Sequence, residues 1–82
     1  MEKQSEKQTA RMVFAVNLRR ARRLRDISQE ALALDAGLSR TYVSEVERGE
    51  RNISIDNMGL LADALQVPLK DLVDPQRFNV LD

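Results

Sequence analysis

The sequence predicts an all-α domain built from five short helices. Apolar residues recur at steps of three and four in several segments, and serines and glycines stand where those segments begin and end. Aromatic residues make up 4% of the chain and hydrophobic residues 43%. The core must therefore consist mainly of Leu, Val, Ile, Ala and Met, which is typical of helical proteins. With 82 residues, we expect one domain, because a fold of this size buries only about 60% of its unfolded surface.

The first helix is predicted in the stretch TARMVFAVNLRRARRLRD, and we expect it to end near Asp26. Its apolar side chains share one helical stripe, with most of the arginines on the other side. The members of that stripe are Val13, Phe14, Leu18, Ala21 and Ile27. Residues 1–10 carry several charges and no apolar stripe, so we expect them to fray.

Two shorter helices follow, each with a serine at its start and a glycine at its end. Ser28 precedes one and Gly37 closes it, and Ser39 precedes the next and Gly49 closes it. A serine hydroxyl can accept a hydrogen bond from a free amide of the first turn, and glycine takes the left-handed conformation of a helix end at little cost. Only a turn of about two residues separates these helices.

A fourth helix is predicted after Ser54, and a very short fifth one starts near Pro68 and closes before Pro75. In the fourth helix, apolar residues recur at steps of three and four, namely Ile55, Met58, Leu61, Ala62 and Leu65, and we expect Met58, Leu61 and Leu65 to lie in the core. We expect the domain to span residues 11–74. Residues 75–82 then form an apolar tail that is a candidate for a subunit interface.

Composition argues against catalysis and against a metal site. The chain has no cysteine and no histidine, so it lacks thiolate ligands, the commonest zinc ligand and the commonest general base. We therefore expect no enzyme activity, no cofactor and no metal. The longest apolar runs are too short to span a membrane, and nothing resembles a signal peptide, so we expect a soluble, cytoplasmic protein.

The net charge of zero hides a strong polarity along the chain. Residues 1–26 carry eight Lys or Arg against three acids, a net charge of +5. Residues 27–53 carry three Arg against five acids, a net charge of −2, and the rest carries −3. A basic first third and an acidic end suit a protein that meets an anionic polymer on one side and a second subunit on the other.

The segment from Gln29 to Arg48 has the spacing of a helix-turn-helix. Ala33 lies four residues before Gly37. Its small side chain falls where a second helix has to cross closely, and Gly37 allows the tight turn between the helices. Together, ISQEALALDAGLSRTYVSEVERGERNIS and LADALQVPLKDLV resemble the XRE/Cro/C1 family of helix-turn-helix regulators, roughly from Leu18 to Val73. Within that family the chain is most similar to restriction-modification controller proteins.

The resemblance implies a compact five-helix, lambda-repressor-like fold that binds double-stranded DNA with its third helix. Base-reading roles fall on Arg40, Thr41, Tyr42, Ser44, Glu45 and Arg51. Phosphate contacts fall on Ser28, Gln29, Ser39, Arg48 and Asn52. It further implies a partly buried ion pair between Arg22 and Glu47, which joins the first helix to the third.

One recognition helix contacts few base pairs, so useful affinity requires a homodimer on a palindromic or pseudopalindromic operator. Candidate interface residues are Leu60, Leu69, Phe78, Val80 and Leu81. Leu60 and Leu69 can equally be scattered surface leucines. The chain has no room for an effector domain, so we expect no small-molecule effector.

Several alternatives remain open. Tyr42 can cover the edge of the core, and Glu45 can face solvent or a second subunit, because phosphates repel a carboxylate that finds no cytosine. The arginines of LRRARRLR can form a solvated face. The whole domain can also be an antitoxin-like or bridging module that binds a polypeptide. A steep salt dependence of DNA affinity would separate these functions.

Two helix ends depart from the family pattern. Asp26 and Gln66 stand where glycine commonly ends the first and fourth helices. Either residue can adopt the left-handed conformation at some cost, so we expect strained ends rather than a different fold.

Overall fold

The computed structural model describes residues 9–78, which form five α-helices joined by short loops. The helices are α1 (Ala10–Leu24), α2 (Gln29–Ala36), α3 (Arg40–Glu47), α4 (Ile55–Leu65) and α5 (Leu69–Leu72). The prediction of an all-α fold with five helices is confirmed for this part of the chain. Residues 1–8 of the segment expected to fray, and the interface candidates Val80 and Leu81, lie outside the described residues.

Side-chain hydroxyls cap four of these helices. Ser28, Ser39 and Ser54 each accept a hydrogen bond from the backbone N–H three residues later, at 3.0, 3.0 and 3.1 Å. Thr9 does the same for α1 at 3.2 Å. Pro68 precedes α5 and makes no side-chain cap. Each hydroxyl satisfies one of the amides that a helix start leaves without a partner.

Left-handed residues end the helices or follow their ends closely. Gly37 and Gly49 have φ of +75° and +74°, and Asp26 and Gln66 have +57° and +60°. The expectation that Asp26 and Gln66 take strained ends is therefore confirmed. The first helix ends at Leu24, close to the predicted Asp26; Arg25 caps it in a right-handed conformation, and Asp26 then turns the chain.

All five helices contribute side chains to one core. Its most deeply buried large side chains are Phe14, Leu18, Leu32, Val43, Leu61, Leu65 and Leu72. Complete burial of one such side chain contributes about 1.5 to 3 kcal/mol relative to exposure. The five helices are each too short to be stable alone, so this shared core holds them.

Polar contacts join α1 to the end of the domain. Asn17 is buried, and its Nδ2 donates to the carbonyls of Leu72 at 3.1 Å and Asp74 at 2.8 Å. Arg25 donates to the carbonyl of Leu65 at 2.7 Å. These bonds satisfy carbonyls at the ends of α4 and α5 and fix both helices against α1.

Candidate nucleic-acid interface

The turn between α2 and α3 brings the two helices into direct contact. Gly37 takes the left-handed conformation, and the N–H of Leu38 donates to the carbonyl of Ala33 at 2.9 Å. Ala33 is buried, with 2% of its surface exposed, as are Val43 and Val46 on the inner face of α3. The tight turn and the small side chain therefore seat α3 on the core by one face and leave the other face outside.

The outer face of α3 begins with two exposed side chains. Arg40 and Thr41 stand in the first turn and are both exposed. The hydroxyl of Ser39 accepts the hydrogen bond of the Tyr42 N–H and keeps its own O–H as a donor. No acidic residue occupies this first turn. Its free amides and the helix dipole therefore favour an anion at this end.

Tyr42 has two environments. Its ring packs against the core on one side, and the guanidinium of Arg51 lies 5.0 Å from the ring centroid. Its hydroxyl accepts a hydrogen bond from Asn57 Nδ2 at 3.0 Å. Tyr42 therefore covers the core edge, and it also supports an arginine at the surface; its role in base reading stays a prediction.

Glu45 lies beside this pair. Its Oε1 accepts from Arg51 Nε at 2.8 Å, and its side chain keeps 28% exposure. Arg51 is thus held between the Glu45 carboxylate and the Tyr42 ring. The geometry gives Glu45 a partner on its own protomer.

Arg48 is held by a carboxylate that the sequence analysis did not select. Its Nε donates to Glu50 Oε2 and its Nη2 to Glu50 Oε1, both at 3.1 Å, while Nη1 donates to the hydroxyl of Ser44. The hydrogen bond from Arg48, aided by its positive charge, lowers the pKa of the Glu50 carboxyl. Glu50 and Asn57 were missed because these contacts depend on how the chain turns after α3. Their spacing in the sequence gives no signal.

Three of the predicted phosphate contacts lie outside α3 and its two cap residues. Ser28 is exposed and caps α2 with its hydroxyl oxygen, and Asn52 is exposed in the loop before α4. Gln29 is half-buried, and one of its amide hydrogens is already used, because Nε2 donates to Glu47 Oε1 at 3.0 Å. Its second amide hydrogen is the one that can point outward.

Glu47 and Arg22 form a two-pronged ion pair behind the outer face. Arg22 Nε lies 2.7 Å from Glu47 Oε2, and Arg22 Nη2 donates to Glu47 Oε1 at 3.0 Å. The side chains are 14% and 2% exposed. Arg22 Nη1 also donates to the carbonyl of Ile27 at 2.8 Å. This cluster joins α1, α3 and the loop before α2, so it fixes the orientation of α3.

The candidate residues for a subunit interface differ in how far they are exposed. Leu60 is 43% exposed, whereas Leu69 is half-buried and packs against the core. Phe78 is only 4% exposed and belongs to the core of the chain itself. The prediction that Phe78 serves a dimer interface therefore needs correction, because its apolar side chain is already covered within one protomer. Val73, which the sequence analysis did not select, is 46% exposed.

Comparison with known proteins assigns the arrangement to a family. The model of the Helix-turn-helix family HTH_3 matches residues 18–72, which include all of α2 to α5 and the second half of α1. The chain belongs to the helix-turn-helix family of XRE type. It is therefore a DNA-binding transcription regulator by family, and the resemblance found in its motifs is confirmed.

Restriction-modification control proteins are among its similar relatives. Control protein C.BamHI of Bacillus amyloliquefaciens is 45% identical over 65 residues, 78% of this chain and 80% of that protein. The crystal structure of the restriction-modification controller protein C.AhdI from Aeromonas hydrophila has a TM-score of 0.74 and 44% identity, over 76% of this chain and 90% of that one. The hypothetical transcription factor NHTF from Neisseria has a TM-score of 0.82 and 42% identity, over 90% and 85%.

None of the helices in residues 9–78 combines the length and the apolar composition that a transmembrane span needs.

Proposed function

We propose that this helix-turn-helix protein is a homodimeric regulator that binds a palindromic or pseudopalindromic operator, as a controller of a restriction-modification system. The observation that carries the proposal is the exposed first turn of α3. Arg40 and Thr41 project from a helix whose opposite face is buried and whose orientation is held by Arg22 and Glu47. A rigid helix with exposed donors at its start is what major-groove reading requires.

The base-reading side chains are those of the outer face of α3 and the loop behind it. Arg40 can grip O6 and N7 of a guanine, and the methyl group of Thr41 can meet that of a thymine. Arg51 reaches the same groove while it stacks on Tyr42. Ser44 and Glu45 complete the set, and Glu45 acts through the position it gives to Arg51.

Phosphate contacts come from groups on both flanks of that face. Ser28 and Ser39 keep hydroxyl hydrogens after capping their helices, and Gln29 keeps one amide hydrogen. Arg48 and Asn52 are exposed beyond the end of α3. These contacts fix the register of the helix on the duplex and contribute affinity that falls as salt rises.

Dimer formation follows from the small size of one reading helix. Two half-sites about one helical turn apart multiply the base contacts without a larger domain. Leu60, Leu69 and Val73 of the α4–α5 end are the apolar candidates for the contact, together with Val80 and Leu81 beyond the described residues. The relatives named as control proteins support this assignment.

The test is selection of binders from a pool of random duplex DNA, followed by titration of the enriched duplex with variants. The enriched sequence should be palindromic. Arg40→Ala should fold normally and lose about 5- to 150-fold in affinity per half-site, which corresponds to one good base contact in each. Arg77→Ala, which removes an exposed arginine that pairs with Asp71 at 3.3 Å after α5, serves as the control once its unfolding curve matches that of the wild type.

Three results would contradict the proposal. One is a failure of the folded protein to enrich any sequence, which would favour a polypeptide partner. Another is an equal loss for Arg40→Ala and Arg77→Ala, since a reading role predicts a loss at Arg40 alone. The third is a monomer at operator-binding concentrations in sedimentation equilibrium.

A further inference from the structure

Each of the three guanidinium nitrogens of Arg48 already donates a hydrogen bond within the chain. Both oxygens of Glu50 accept from Arg48 at 3.1 Å, and the remaining nitrogen donates to Ser44. The side chains of Arg48 and Glu50 are 53% and 55% exposed. The pair therefore lies at the surface, where an external anion can reach it and compete for it.

Glu50 occupies Arg48 in the geometry that a phosphate group would use. An arginine binds carboxylate and phosphate through the same fork of two parallel N–H donors. The same hydrogen bonds lower the pKa of Glu50, so its carboxylate stays charged at neutral pH. A DNA phosphate that approaches Arg48 thus meets a neutralised cation and a nearby negative charge.

We propose that Glu50 is an internal counter-ion that competes with DNA phosphate for Arg48 and thereby limits the affinity of the protein for DNA. The inference rests on the proposed function and adds a residue to it that acts against binding. Glu50 needs no contact with DNA for this role. It acts by positioning Arg48 and by cancelling its charge.

The charge balance gives the proposal a quantitative consequence. The logarithm of the DNA-binding constant falls linearly with the logarithm of the salt concentration. For duplex DNA the slope is about −0.9 per phosphate that the protein neutralises. Arg48 and Glu50 together carry no net charge, so their contribution to the slope is small. Removal of the Glu50 charge frees Arg48 to neutralise one phosphate.

The variant Glu50→Gln tests this with the shape of the side chain kept. We expect it to bind duplex DNA about two- to tenfold more tightly at moderate salt, with a slope steeper by about 0.9 per bound protomer. Asp35→Asn is the matched control, because it removes one exposed carboxylate from α2 and changes the net charge equally. Affinities are measured by fluorescence anisotropy on the enriched duplex across a salt series.

A double-mutant cycle shows whether Glu50 acts through Arg48. In the Arg48→Ala background, Glu50→Gln should gain much less affinity than in the wild type. An unchanged affinity and slope, a gain no larger than that of Asp35→Asn, or an undiminished gain without Arg48 would each overturn the inference and leave the proposed function intact. Loss of all duplex binding by the folded wild type would overturn both.

Discussion

Replacement of Glu47 by alanine should destabilise the fold more than any exposed charge substitution. The carboxylate is almost completely buried and accepts three hydrogen bonds, two from Arg22 and one from Gln29. The alanine variant leaves the Arg22 guanidinium at the boundary of the core without its anion. Loss of one partner of a buried pair typically costs 3 to 5 kcal/mol, roughly. Because Arg22 keeps 14% exposure and can gain some water, we expect about 2 to 4 kcal/mol.

That loss is a large part of the total stability. A domain of 82 residues has an unfolding free energy of about 4 to 12 kcal/mol. The midpoint of thermal unfolding should therefore fall by about 10 to 30 °C, as followed by circular dichroism of the helices. Urea titration of the same variant gives the change in free energy directly.

Two comparisons make this prediction refutable. Glu50→Ala breaks an exposed Arg–Glu pair and should leave the midpoint nearly unchanged. Arg22→Met combined with Glu47→Leu removes both charges and should recover most of the lost stability, because no unpaired charge remains. A Glu47→Ala variant that melts with the wild type would show that the buried ion pair does not hold α1 to α3.

Four further variants probe the packing and the helix ends, each by thermal and urea unfolding. Phe78→Ala should lower the free energy of unfolding by about 2 to 4 kcal/mol if its ring belongs to the core. An unchanged unfolding midpoint would show that the ring lies at the surface. Gly59→Ala should stabilise α4 by about 0.5 to 1 kcal/mol because its Cβ meets nothing within 4 Å. Gly49→Ala should destabilise the domain through its φ of +74° alone, because the flexible end of the Met12 side chain beside it can move away. Gln66→Gly should stabilise the domain by about 0.5 to 1 kcal/mol, because glycine adopts the φ of +60° without strain. A lower free energy of unfolding would show that the C-terminal end of α4 is unstrained in the wild type.

Local chemistry was enough to predict most of the elements. Ser28, Ser39 and Ser54 cap the helices that they were predicted to cap, and Gly37 closes α2, because a hydroxyl bonds an amide three residues away and glycine tolerates positive φ. These interactions lie within one turn of the chain. The same is true of the apolar stripes, whose spacing repeats the period of the helix.

The end of the chain could not be predicted in this way. Phe78 has no periodic neighbours, so the sequence showed only that its ring avoids water and not whether its own core or a second subunit covers it. The packing of α5 and the following turn decides in favour of the core. Asn17 shows the same limit, because its buried bonds reach carbonyls 55 and 57 residues away.

By itself, then, the sequence determined the helices and their caps, since each depends on neighbours along the chain, and it predicted a reading segment from Ser39 to Asn52. The tertiary structure decided which charges in that segment are already paired. Glu45 and Glu50 lie opposite Arg51 and Arg48 only because α3 ends at Glu47 and Gly49 turns the chain back. Ion pairs depend on distances in space, and no spacing in the sequence encodes them until the backbone is folded.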